Sequence, residues 1–314
     1  TGCTTSSAKK VDSKYVVASL EKGNKTKNIF ADNLYKDIID NSSNNSTVFN
    51  AVLQNLVDQK FPVNDDMKED AATIIKQIKS AYKSNYGDNY KDSLNQALTS
   101  AGYKNLSEYR QKMIKQIQYA NFLLDYIDDH FDDVFNDYYQ QCAPKYVSLI
   151  KISVSDTSSP TDDETSKLNE VKELISNTDK SFGDIAQDYS NDSTSSKKGS
   201  LGIVDSKDTS GIANSYGKDV FNAIEALSEG QVSDVITGDD GYYFVKVTST
   251  DKKTLKKELK KTDIDSPLLA YDDYLQYVVY NSYKINYKDK DIKKIVQEVV
   301  NKALEERKTE RGEA

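Results

Sequence analysis

The chain has 314 residues with 42 Lys+Arg against 50 Asp+Glu, a net charge of −8. That length admits two domains, and the acidic balance argues against general nucleic-acid binding. A single histidine, His130, and two cysteines leave too few ligands for a multi-His or Cys/His metal centre. No apolar run approaches the ~20 residues of a membrane span. Neither a metal nor a cofactor is expected.

In chain order, Thr1-Gly-Cys3 followed by small and polar residues resembles the end of a bacterial lipobox after signal-peptide removal. That resemblance implies a lipid on Cys3, with residues 1–14 as tether. The alternatives are a plain thiol or a disulfide with Cys142. Tyr15–Ser19 reads as a short strand, and Gly23-Asn24 as the turn of a small hairpin. Helical periodicity follows at Leu34, Tyr35, Ile38 and Ile39, then at Phe49, Val52, Leu53, Leu56 and Val57 up to Phe61-Pro62. It resumes at Ala71, Ile74, Ile75, Ile78 and Tyr82, and again at Leu94 to Leu98.

Asn105, with Glu108 three residues on, marks the start of the longest helix. Its apolar stripe runs from Leu106 through Met113, Ile117 and Leu124 to Phe131. Asp128, Asp129, Asp132 and Asp133 would oppose the dipole of an unbroken helix, so a break is expected there. His130 sits at that break in a surface or capping role. Ala143-Pro144 is a boundary, and Lys145 to Val154 alternates as a strand. After the loop 156–164, Leu168, Val171, Leu174 and Ile175 mark a helix.

The stretch 181–247 carries four successive motifs: Phe182-Gly-Asp-Ile-Ala-Gln-Asp-Tyr-Ser190, Lys198-Gly-Ser-Leu-Gly202, Ala223-Ile-Glu-Ala-Leu227 before Gly230-Gln-Val-Ser233, and Gly241-Tyr-Tyr-Phe-Val-Lys-Val247. Their order and wording resemble a parvulin-type peptidyl-prolyl isomerase domain, here spanning about 145–250. Beyond it, Asp251–Lys261 reads as a basic solvated connector. Leu268, Leu269, Tyr271, Tyr274, Leu275, Val278 and Val279 read as one apolar-aromatic helix, Ile285–Tyr287 as a short strand, and Ile292 to Leu304 as a final amphipathic helix. Its stripe needs a partner surface, for which the helices of 15–143 are the obvious one. The fold class expected is α+β: a mainly helical, discontinuous chaperone domain from 15–143 and 251–314, with an FKBP-like parvulin domain of antiparallel sheet and helices inserted.

That whole-chain arrangement resembles the PrsA-type foldase lipoproteins of Gram-positive bacteria, relatives of the periplasmic SurA proteins. The resemblance implies an extracytoplasmic, lipid-anchored foldase acting on unfolded or newly secreted polypeptides, without nucleic acid, and a homodimer as a further expectation. In active parvulins it implies two inward histidines, an acidic or thiol neighbour and an apolar cup. Carried over position by position, the histidines fall on Lys151 and Tyr243, the Asp on Ser200, and the cup residues on Leu201, Tyr216 and Glu225. Only Leu201 keeps the family's residue. The expectation is therefore a parvulin domain that has kept its fold and lost its active site. The alternatives are a working peptidyl-prolyl cis-trans isomerase, and a surface lipoprotein binding cell-wall material or a host protein.

Overall fold

The computed structural model describes residues 9–22, 25–177, 179–260 and 263–313; Cys3 and the Gly23-Asn24 turn lie outside them. In chain order the elements are β1 Lys10–Val11, β2 Lys14–Lys22, β3 Lys25–Phe30, α1 Ala31–Ile39, α2 Asn45–Lys60, α3 Asp65–Tyr86, α4 Tyr90–Ser100, α5 Leu106–Asp129, α6 Phe131–Cys142, β4 Lys145–Ser153, α7 Asp162–Ser176, α8 Phe182–Tyr189, β5 Ser200–Val204, α9 Ile212–Tyr216, α10 Lys218–Ala226, β6 Ile236–Thr237, β7 Gly241–Ser249, α11 Lys252–Leu259, α12 Leu275–Ser282 and α13 Lys290–Glu310. They divide into two compact units. One takes the residues up to Phe122 together with those from Tyr274 onward, and the other takes Leu123–Asp273.

The first unit is helical apart from the β1-β2-β3 antiparallel sheet. Its helices start where the sequence offers caps. The Asn64 side chain accepts from the Met67 amide at 2.9 Å, with Asp65 and Asp66 in the first turn of α3. Asn105 accepts from the Glu108 amide at 2.9 Å, and Glu108 reaches back to the Lys104 amide at 2.6 Å. The core joins the two ends of the chain: Phe49 of α2, fully buried, stacks on Tyr277 of α12 with centroids 5.0 Å apart and meets Tyr280 edge-on at 5.2 Å. Buried Gln118 of α5 donates to the Phe61 carbonyl at 2.7 Å, which satisfies the end of α2 left open before Pro62.

The break in the long helix falls where the acidic residues place it, with α5 ending at Asp129 and α6 beginning at Phe131. His130 stacks on Tyr126 at 4.1 Å, and its Nδ1 lies 2.9 Å from the Tyr126 carbonyl. Two other expectations are corrected. Leu268–Val279 is not one helix: Pro267–Leu269 forms a 3-10 turn, and α12 starts only at Leu275. The apolar run serves two cores, so one helical face does not suit it. Tyr271 is buried edge-on against Tyr138 at 5.3 Å in the second unit, while Leu275 and Val279 are buried in the first. Ile285–Tyr287 is not a strand either. It is the link into α13, fastened by the Tyr287 and Tyr280 hydroxyls at 2.6 Å, and no described strand pairs with it.

The second unit is built on an antiparallel sheet of order β5-β4-β7-β6. The period of two sorts its side chains onto two faces. Val147, Leu149, Tyr243 and Val245 pack with Ile212, Val220 and Ile224 of α9 and α10. Ile150, Ile152 and Phe244 pack with Leu168, Val171, Phe182 and Ile185 of α7 and α8. The unit is wider than 145–250. Its lower end is held by the fully buried Asp205, which accepts from the Tyr138 hydroxyl of α6 at 2.8 Å, and its upper end by Lys207, which donates to the Tyr271 carbonyl at 2.7 Å. The basic segment after β7 is mostly α11, with Leu255 and Leu259 buried beneath its lysines.

Candidate functional site

Lys151 and Tyr243 stand directly opposite each other in the β4–β7 register. Opposed residues share a face, so both project to the side covered by α9 and α10. The Lys151 ammonium lies 5.6 Å from the Tyr243 ring centroid. Both functional ends converge on one carboxylate, Asp240 in the β6–β7 turn. The Lys151 ammonium pairs with one of its oxygens and the Tyr243 hydroxyl donates to the other. Backbone pins the turn: the Gly238 amide donates to the Gly241 carbonyl at 2.9 Å, and the Val154 amide to the Asp240 carbonyl at 3.2 Å. A Cβ on Gly241 would run into the Ile152 carbonyl, so only glycine lets the two strands close here. The lysine hydrogen bond first, then the tyrosine one, holds the Asp240 carboxyl below its ordinary range. Burial first, then the bond to Asp240, pushes the Tyr243 phenol far up. At physiological pH the group is a closed ammonium–carboxylate–phenol network.

Tyr216 of α9 meets Tyr243 edge-on at 6.2 Å, and its hydroxyl lies 3.4 Å from Asp192. Burial first, then Asp192, pushes its phenol to about 12. Tyr216, Val220, Ile236, Asp240 and Tyr243 line a groove of about 620 Å³. The other inferred positions lie elsewhere. Leu201 packs against the same core but opens onto a separate groove of about 650 Å³ beside Tyr146, Ile203 and Leu259. The Ser200 hydroxyl is spent locally, donating to the Tyr146 hydroxyl at 2.9 Å and accepting from the Gly202 amide at 3.2 Å.

Glu225 sits on α10 with one carboxyl oxygen buried and without a hydrogen-bond partner. The neighbouring Lys145 ammonium goes instead to the carbonyls of Ile224, Glu225 and Leu227 at 2.9, 2.7 and 3.0 Å, which closes the C-terminus of α10. Burial raises the Glu225 carboxyl above its ordinary range, Lys145 opposes the shift, and Asp205 and Asp208 add to it. A carboxyl raised in the folded state costs stability once pH exceeds its folded value, and the cost fades as pH falls toward the unfolded value. Glu225→Gln is therefore expected to stabilise the protein at pH 7 by on the order of 1 kcal/mol. The gain should shrink to nothing as the medium is acidified through the glutamate range. Urea midpoints of the two proteins at pH 7 and pH 4 check this; a gain that is the same at both would refute it.

The motifs did not announce Asp240, Asp192 or Asp205. Asp240 had a usable signal, since Gly238-Asp-Asp-Gly241 between two apolar runs is a hairpin-turn composition. Asp192 begins a turn, accepting from the Thr194 amide at 2.9 Å, and Asn191-Asp192 fits that role. Nothing in the sequence singles out Asp205. Among the described residues, no three His, Cys, Asp or Glu side chains gather as a metal site.

With this sheet and groove, the class is a parvulin-type domain: residues 149–249 match the rotamase family of PPIC-type peptidyl-prolyl isomerase domains. The chain is similar to the foldase protein PrsA of Staphylococcus aureus, 32% identical over 141 residues that make up 43% of this chain and 41% of that one. The foldase protein PrsA of Staphylococcus epidermidis matches at the same identity and coverage. The match thus spans about two-fifths of these relatives' length. Among solved structures, the foldase protein PrsA from Streptococcus pneumoniae aligns over 90% of this chain and 99% of its own, at 19% identity and a TM-score of 0.40. The chain carries a parvulin-type domain over residues 149–249.

Proposed function

We propose that this chain is a foldase for secreted proteins of a Gram-positive bacterium, held at the outer face of the cell membrane by a lipid on Cys3, and that its parvulin-type domain is a scaffold with no working isomerase site. The observation that carries this reading is the Lys151–Asp240–Tyr243 network. Prolyl isomerisation must overcome amide resonance, a barrier of ~18–20 kcal/mol. A catalyst lowers it by stabilising the twisted amide better than the planar one. Here both side chains at the inferred catalytic positions are already committed to Asp240, and Glu225, an inferred cup position, does not line the groove they face.

Client binding then falls to exposed apolar side chains, of which α1 has three: Leu34, Tyr35 and Ile38. The full chain is expected to suppress aggregation of a chemically denatured client on dilution, and Leu34→Ser with Ile38→Ser to weaken that effect at least threefold. Light scattering of the diluted client measures it. A full chain that leaves scattering unchanged would sink the foldase reading. Specific capture of a single folded or cell-wall ligand, without preference for unfolded chains, would point to a display lipoprotein instead.

A further inference from the structure

The β2–β3 hairpin is sorted by its register into two unlike faces. Ala18 opposes Ile29 and Leu20 opposes Lys27, and the pairing continues to Lys25 at the tip, so Ala18, Leu20, Ile29, Lys27 and Lys25 share one face. Ser19 opposes Asn28 and Glu21 opposes Thr26 on the other, where the Ser19 hydroxyl donates to the Asn28 side chain at 3.1 Å. The first face is apolar and basic; the second carries Ser19, Glu21, Thr26 and Asn28, with Val16 opposite Phe30 at its base, and holds the only acid between Ser13 and Ala31, Glu21. Leu20 is 64% exposed and Ile29 46%, and Lys25 and Lys27 are exposed beside them. A soluble hairpin gains nothing from presenting leucine and isoleucine to water between lysines.

We infer that this hairpin face docks on an anionic lipid bilayer, with Leu20 and Ile29 entering the headgroup boundary and Lys25 and Lys27 pairing with lipid phosphates. The charge distribution selects this occupant. Residues 9–30 carry six lysines against Asp12 and Glu21, a net +4 within a chain of −8, so the remainder is −12. An anionic surface attracts the hairpin and repels the rest, which orients the chain. Lysine stems spread over apolar contacts while their ammonium groups reach the phosphates. A second copy packed symmetrically on the same face would set Lys25 and Lys27 against their own mates.

The chain contains no tryptophan, so Leu20→Trp is a single reporter. The probe is the unlipidated 314-residue protein with vesicles of phosphatidylglycerol and phosphatidylcholine, or of phosphatidylcholine alone. This separates the hairpin from any lipid on Cys3, and its failure leaves the anchoring proposal standing. The expected result is a blue-shifted Leu20→Trp emission and co-sedimentation with the anionic vesicles only, weakened by salt. Lys25→Glu with Lys27→Glu should reduce binding at least tenfold, as should Leu20→Ser with Ile29→Ser. All four positions are exposed, and circular dichroism confirms that the variants fold. Unshifted emission, equal binding by the charge-reversed variant, or a concentration-dependent self-association removed by Leu20→Ser would each overturn the inference.

Discussion

Replacing Asp205 by alanine is expected to destabilise the second unit by about 3 kcal/mol, the largest single-residue stability effect anticipated for this chain. Asp205 is fully buried, as is Tyr138. Its carboxylate accepts from the Tyr138 hydroxyl at 2.8 Å, the Lys207 amide at 3.0 Å, the Thr209 amide at 3.2 Å and, closely, the Thr209 hydroxyl. Alanine would strand a buried phenol and two amides, each worth roughly 1–3 kcal/mol when left unsatisfied. Relief from burying a charge offsets part of that. Burial first, then Asp205, pushes the Tyr138 phenol far up, so it remains a donor throughout the physiological range. The shift of the urea midpoint at constant slope measures the loss. A double-mutant cycle with Tyr138→Phe isolates the pair: the double variant should lose less than the sum of the singles, because no phenol is left to strand. A loss under 1 kcal/mol for Asp205→Ala, or strict additivity, would show that water satisfies the site.

The sequence was most legible where one pattern had one cause. Period-two alternation from Lys145 became β4, the acidic cluster at 128–133 broke the long helix at His130, and Asn105 with Glu108 opened it. The position of the inward pair, Lys151 and Tyr243, was also legible, because the motif fixes which residue of each strand faces in. What those side chains do was not. Their partner, Asp240, comes from a turn whose sequence reports only that the chain reverses. Leu268–Val279 misled because hydrophobic spacing reveals that residues are buried, not in which core. Tyr271 and Leu275 lie four apart, as on one helical face, yet they serve different units. Ile285–Tyr287 misled for a related reason: an apolar-polar-apolar triplet becomes a strand only where a sheet edge waits for it.

The full chain is expected to leave the isomerisation of short Xaa-Pro peptides at the uncatalysed rate. The donors of the site are already spent. A positioned donor aimed at a developing charge contributes about 10²–10³-fold in rate where it acts. Lys151 and Tyr243 are the groups at the inferred catalytic positions, and Asp240 holds both. To serve a twisted amide, either must first leave a carboxylate whose pKa is lowered by that same contact. Tyr216 is no substitute, since its hydroxyl is turned toward Asp192. Asp240→Asn tests whether the network is what silences the site. It keeps the turn and its size while loosening the hold on the ammonium and the phenol. If donors alone are missing, this variant should show catalysis that Tyr243→Phe then removes. If the shape of the groove is at fault, it should stay as silent as the wild type. Protease-coupled isomerisation of a peptide series, with wild type and these variants side by side, distinguishes the two. A wild-type rate tenfold or more above background, abolished by Tyr243→Phe, would overturn the scaffold reading and make the phenol the electrophile of an unusual parvulin.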